Sequence, residues 1–229
     1  MKKLLTIVTA LLLSTAANAA TFTLSDAFGT GNFGTVTATD LGAQAGSTDT
    51  VQLSFNFAPN WVIDSGSHFA LTMSLIGTGR FDASSIVVPQ GTLAVQTHQT
   101  TTANFYSNSP FGNFSDALAG GCGTGTSSGG CGSTLLVNVI NFQGFGAATN
   151  QYNGNDIFAA VDIGERTCNT EGVCTVVGTG AVGLTGGLTP TPFSSETPIP
   201  GAVWLFGSGV AGYGIFRRRQ KKAVQAKAA

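Results

Sequence analysis

Asp64, Ser65, Ser67 and His68 fall within one short stretch, "IDSGSHF", and an acid, a serine and a histidine are the parts of a nucleophilic hydrolase. The chemistry needs more than proximity along the chain. No nucleophile-elbow signature surrounds Ser65 or Ser67, and the other histidine, His98, has no motif beside it. Both histidines read as polar side chains on a sheet face or edge. Asp156 and Asp162 offer a pair of carboxylates for acid and base work, but six residues along a strand separate them by about 20 Å, too far for a glycosidase pair. Asn153, Asn155 and Asp156 could supply oxygens to calcium, and an ordinary Asn-Gly turn explains them equally. The stretches "GTGNFG" and "GTGTSSGG" share only composition with phosphate-cradling loops, since no P-loop lysine and no helix start follows either. No catalytic residue, metal site or cofactor is assigned, and the chain reads as a non-enzyme.

The elements that would position any of these residues are short and alternating. In Val51-Gln52-Leu53-Ser54-Phe55-Asn56-Phe57 every second side chain is apolar, which on a strand puts all four on one face. Thr21 to Ser25 and Phe69 to Ile76 behave alike, and Thr35-Val36-Thr37-Ala38-Thr39 adds β-branched residues. Further strands are expected at Ser85 to Val88, Leu93 to Thr97, Leu135 to Phe142, Ile157 to Ile163 and Thr175 to Leu184. Gly, Asn, Asp and Pro separate them. Eight or nine such strands predict an all-β fold, an antiparallel β-sandwich of jelly-roll type, with a barrel as the alternative closure.

Four cysteines come as two local pairs, Cys122 with Cys131 and Cys168 with Cys174. Three connectivities are open to them, and the two local bridges would close short loops rich in residues that bend sharply. A zinc site competes, with the wrong spacing and no histidine nearby.

The two ends differ from everything between them. "MKKLLTIVTALLLSTAANAA" has two lysines, an apolar stretch and small residues at Ala17 and Ala19, the order of a secretory signal peptide over 1–19. Export favours disulfides. At the other end, Pro198-Ile199-Pro200 leads from a linker (186–200) into an uncharged apolar run that stops at Arg217, Arg218 and Arg219. As a helix, Pro200 to Phe216 would span about 25 Å, slightly under a hydrocarbon core of about 30 Å. Residues 201–216 are therefore expected to form a transmembrane helix, with 217–229 as a basic cytoplasmic tail held by the positive-inside rule.

Between these ends lies the exported region, a β-sandwich domain expected at 20–185. Of the chain's ten cations only Arg80 and Arg166 fall between the signal peptide and the tail, while all eleven acids lie between Asp26 and Glu196, so residues 20–200, the domain with its linker, carry a formal charge of −9. Such a surface repels nucleic-acid phosphate and anionic membrane and tolerates neutral glycans.

The tail "PIPGAVWLFGSGVAGYGIFRRR" resembles the tripartite sorting signal of PEP-CTERM proteins, in the variant where Pro-aliphatic-Pro replaces Pro-Glu-Pro. The resemblance covers about the last 30 residues. It implies that Pro198, Ile199 and Pro200 are recognised by an exosortase-type enzyme in the inner membrane of a Gram-negative bacterium, and that the protein works at the cell surface or in an exopolysaccharide matrix, biofilm or floc. The alternative is a secreted carbohydrate-binding or carbohydrate-active protein using Trp61, Tyr106 and Tyr152 as stacking platforms. Exposed aromatics on one concave face would favour that alternative, and polar Thr and Asn faces would favour the matrix role.

Overall fold

The alternation at 51–57 dictates the centre of the structure. In a computed structural model, which describes residues 19–26, 30–65, 69–101, 105–121, 130–149 and 157–185, Val51, Leu53, Phe55 and Phe57 are all buried in β3 (Ser47–Phe57) while Gln52, Ser54 and Asn56 face outward. Its neighbours repeat the pattern. β2 (Gly34–Gln44) buries Val36 and Ala38, and β11 (Thr134–Ile140) buries Leu135, Val137 and Val139. The pairings Val36↔Phe55 and Phe55↔Leu135 set the inward side chains in register across three strands. Together with β1 (Ala19–Ser25) on the far side of β2, they form one flank of the core.

The other strands are β4 (Trp61–Ile63), β5 (Leu71–Met73), β6 (Arg80–Phe81), β7 (Leu93–Val95), β8 (Tyr106–Asn108), β9 (Gly112–Phe114), β10 (Asp116–Gly120), β12 (Ala159–Cys168) and β13 (Cys174–Thr185). The antiparallel all-β expectation holds, but its division into two face-packed sheets does not. Eleven strands run in one continuous sheet, in the order β6-β11-β3-β2-β1-β13-β12-β5-β10-β7 with β4 branching from β12.

Residues 80–95 tie the two edges of that sheet together. β6 pairs with β11, Val87 bridges Leu136 further along the same strand, and the Gln90 amide donates to the Cys131 carbonyl at 3.1 Å. The segment then enters β7 at the opposite edge. β4 adds a second tie, pairing with β12 on one side while Ile63 exchanges backbone hydrogen bonds with Cys131 and Gly132 on the other, at 2.9 and 3.0 Å. The sheet is thus a near-barrel. Closing it protects edge groups that would otherwise template aggregation.

β12 is buried on both faces from Ala159 to Gly164. One face joins the main core; on the other, the separate β8-β9 hairpin contributes Phe111 and Phe114 to a second cluster with Ala148, Ile157 and Ala160. At the expected strand Ser85 to Val88, a 3₁₀ turn at Ala83–Ser85, capped by Asp82 accepting from the Ser84 amide, ends at Ser85, and Val87 beyond it makes a single isolated bridge to Leu136. Among the described residues no helix is long and apolar enough to cross a membrane. The expected signal peptide, linker, helix and basic tail, with Ala17, Pro198, Ile199, Pro200 and Arg217 to Arg219, lie outside the described residues. Ala19 is the first residue of β1.

Gly34 opens β2 at φ +137°, where a Cβ would run into the Asn56 carbonyl oxygen of the paired strand. Gly42, at φ +66°, has open space around it. Gly34→Ala is expected to cost about 3 kcal/mol, and Gly42→Ala about 1 kcal/mol from the left-handed backbone alone. Urea midpoints of the two variants should rank in that order, and equal midpoints would contradict the close approach.

Candidate functional site

A groove of about 710 Å³ opens where β4 and β12 meet the end of β3, lined in part by Phe57, Asn60, Trp61, Ser133, Glu165 and Arg166. Its floor is set by a tight connection. Asn60 sits at φ +71°, a conformation asparagine tolerates, and the turn closes with the Trp61 amide donating to the Ala58 carbonyl at 3.0 Å. That turn delivers Trp61 opposite Glu165, and the Arg166 amide donates to the Asn60 carbonyl at 2.6 Å. The pairing of β12 with β13 shifts register between Glu165 and Arg166, a bulge of the sort that re-aims side chains beside binding sites. Just beyond it, the Cys168–Cys174 disulfide joins the ends of β12 and β13 across a six-residue separation.

The Trp61 ring is half-buried and packs edge-on against Phe33, with centroids 5.0 Å apart and planes at 83°. Arg166 is one of the two cations between residues 20 and 200, yet no carboxylate lies within ion-pair distance of it among the described residues. Its Nη2 donates to the Cys174 sulfur at 3.2 Å, and its Nε is buried with no hydrogen-bond partner among the described residues. Glu165, next to it, is exposed.

A second polar constellation was not legible as one in the sequence. Past β7 the backbone keeps pairing with β10, through hydrogen bonds from Gln96 to Ala117 and from Gln99 to Ser115, both 2.9 Å, and this sets His98 beside Asp116. His98 Nδ1 lies 2.9 Å from Asp116 Oδ2, and the Ser115 hydroxyl donates to the same oxygen at 2.6 Å. The carboxylate therefore stands between serine and histidine. A hydrolase requires the histidine in the middle, in contact with the serine it activates, so this trio orders a loop rather than arming a nucleophile.

The residues of "IDSGSHF" fare similarly. The Ser65 hydroxyl donates to the Gly120 carbonyl and the Ser65 amide to Asp64 Oδ1 at 2.9 Å, while Ser67 and His68 lie outside the described residues. Asp162 is buried in β12, and Asn153, Asn155 and Asp156 lie outside the described residues. Among the described residues no cluster of three or more His, Cys, Asp or Glu is placed to hold a metal. Cys131 is disulfide-bonded, and Cys122 lies outside the described residues. Of the two described aromatics named as platforms, Trp61 lines the groove and Tyr106 does not. Tyr106 donates its hydroxyl to the Thr97 carbonyl at 2.6 Å and packs against Phe69, and Tyr152 lies outside the described residues.

The outward side of β1, β2, β3 and β11 is a third feature, a field of mostly uncharged polar groups interrupted by Ala19 and Leu136. Register places Thr23 beside Thr35, Thr35 beside Asn56, and Asn56 beside Thr134; the next row runs Thr21, Thr37, Ser54 and Leu136, and the next Ala19, Thr39, Gln52 and Asn138. Neighbouring groups are spaced by about 4.8 Å across strands and about 6.7 Å along them. Gln52 Nε2 donates to Asn138 Oδ1 at 3.3 Å, so the field is hydrogen-bonded within itself in places. No charged side chain stands at these outward positions, although the region as a whole is strongly acidic.

Comparison with known protein families, with curated proteins and with solved structures finds no match for this chain. The fold and its surfaces define it as an antiparallel all-β protein with a near-barrel sheet.

Burial raises the Asp116 carboxyl above the ordinary aspartate range, with hydrogen bonds from Ser115 and His98 and the histidine charge pulling it partly back. The folded state thus holds this proton more tightly than the unfolded chain, so stability is lost as pH rises from the ordinary aspartate value through the raised one. Urea denaturation of the parent and of Asp116→Asn between about pH 3 and about pH 6 should show the parent losing stability relative to the variant across that window. Asp49, also raised, chiefly by partial burial and by Asp40, is present in both proteins and cancels. A parent-to-variant difference that is constant with pH would contradict the burial argument.

Proposed function

We propose that this chain is a non-enzymatic protein, exported by its N-terminal segment, sorted at the bacterial envelope by its C-terminal signal, and working in the extracellular polysaccharide matrix. The single observation that carries the matrix role is the uncharged Thr, Ser, Asn and Gln field on β1, β2, β3 and β11. A polysaccharide is a repeating array of hydroxyls, and a field rich in hydroxyl and amide groups offers it donors and acceptors without requiring a pocket. Each such contact exchanges for water and is weak by itself. Many of them on one polymer act together through effective concentration.

The acidic remainder of the surface supports the same reading. It keeps the protein soluble and turns away polyanions such as nucleic acid, leaving the neutral field as the face on which a neutral polymer meets no electrostatic penalty. Sorting rests on the tail residues. Pro198, Ile199 and Pro200 are the proposed recognition element for an exosortase-type enzyme, the segment 201–216 the transient inner-membrane tether, and Arg217 to Arg219 its stop.

Separating recognition from anchoring tests this. Replacing Pro198 and Pro200 by Ala leaves the apolar run and its arginines in place, so the variant should accumulate in the inner-membrane fraction at the unprocessed mass. Processing and surface display at the parent's level would show that the tail is a plain anchor and remove the sorting half of the proposal.

A further inference from the structure

The groove beside Trp61 is a separate feature from the polar field, and its chemistry is not explained by folding. Arginine has five N–H donors, and in Arg166 the one acceptor that meets them among the described residues is the Cys174 sulfur, a weak one. Leaving a buried guanidinium N–H unpaired is unfavourable, and a region with eleven carboxylates has had ample means to pair it. Glu165 is adjacent and exposed, yet it does not form the ion pair. Both residues line the groove, together with Trp61, Asn60 and Ser133.

We propose that this groove is a saccharide-binding subsite that takes a neutral pyranose unit of a glycan chain, with Trp61 as its stacking platform and Glu165 and Arg166 as its polar clamp. A pyranose has an apolar face of C–H groups, which suits the face of an aromatic ring, and a rim of neighbouring hydroxyls. Those hydroxyls both donate and accept. A carboxylate accepts from two of them, and a planar guanidinium donates in a fixed fork to an adjacent pair of oxygens, so an unpaired Glu and an unpaired Arg in one groove complement a neutral diol. The pair is itself neutral, which matches an uncharged sugar. An anionic sugar would meet Glu165 and the acidic surface around it.

The site is also held in place before any ligand arrives. The turn at Asn60, the bulge at Glu165 and Arg166, the Phe33 contact and the Cys168–Cys174 bridge fix its walls, so little ordering remains to oppose binding. The groove is open enough to accept a unit within a chain as well as its end.

The inference rests on the matrix reading only in that a glycan would be the natural polymer there; the groove chemistry stands without it. The chain has two tryptophans, so the full-length protein carrying Trp204→Phe reports on Trp61 alone. Its emission would be titrated with cellohexaose, mannohexaose and isomaltohexaose as neutral probes and with hexagalacturonate as the anionic one. A saturable shift is expected with at least one neutral oligomer, weakened tenfold or more by Arg166→Met. Glu165→Gln, at an exposed position that leaves the fold intact, should weaken it threefold or more and decides the matter if Arg166→Met does not fold. No saturable response to any neutral oligomer, a response confined to hexagalacturonate, or parent-like binding by the folded variants would overturn the subsite. A protein recovered from the matrix that fails these titrations would sink this inference alone, and one that binds oligosaccharide but never leaves the inner membrane would sink the sorting proposal alone.

Discussion

The two-residue alternation of β3, held in register against β2 on one side and β11 on the other, is the constraint from which the rest follows. Because side chains on a strand alternate faces, a slip of one residue would turn Leu53, Phe55 and Phe57 outward and bring Gln52, Ser54 and Asn56 into the core. Burying three polar side chains without partners while exposing three large apolar ones makes that slip prohibitive. The same register writes the outer surface. Thr35, Thr37 and Thr39 line up with Asn56, Ser54 and Gln52 because Val36 and Ala38 must line up with Phe55 and Leu53, so the core and the neutral polar field are two sides of one pattern.

Most of the long strands were legible for this reason. Where alternation ran for five residues or more, as at 35–39 and 51–57, a strand formed with ends shifted by a few residues, and the apolar-rich stretch 135–142 formed one as well. The short strands β4, β6, β8, β9 and β10 carried no such signal; two to five residues are too few to show a period, and they pair because neighbouring strands bring open hydrogen-bonding edges to them. The single-sheet closure was hidden too. It depends on Val87 and Gln90 bonding along β11 before the chain reaches β7, which is a fact of pairing and not of composition.

The groove shows the same division between what a sequence carries and what pairing creates. Trp61 could be named as a platform from its type alone, and Arg166 stood out as one of two cations in an acidic region. Nothing along the chain linked them. Antiparallel pairing of β4 with β12 set Glu165 opposite Trp61, and Arg166, the next residue of β12, lines the same mouth. His98 and Asp116 met in the same way, eighteen residues apart, with His98 on the segment that follows β7 and Asp116 opening β10. Cys168 and Cys174 needed no such help, since a hairpin between cross-strand partners already brings them together.

On the function proposed, the protein would be an exported domain released from a temporary tether into a polysaccharide matrix. Intact-mass determination of the chain extracted from that matrix tests it most directly, because one spectrum reads both ends. The account predicts a species that begins at Ala20 and has lost the residues from the Pro198-Ile199-Pro200 element onward or close to it. A species beginning at Met1, or one found in the matrix with Arg217 to Arg219 still attached, would contradict it.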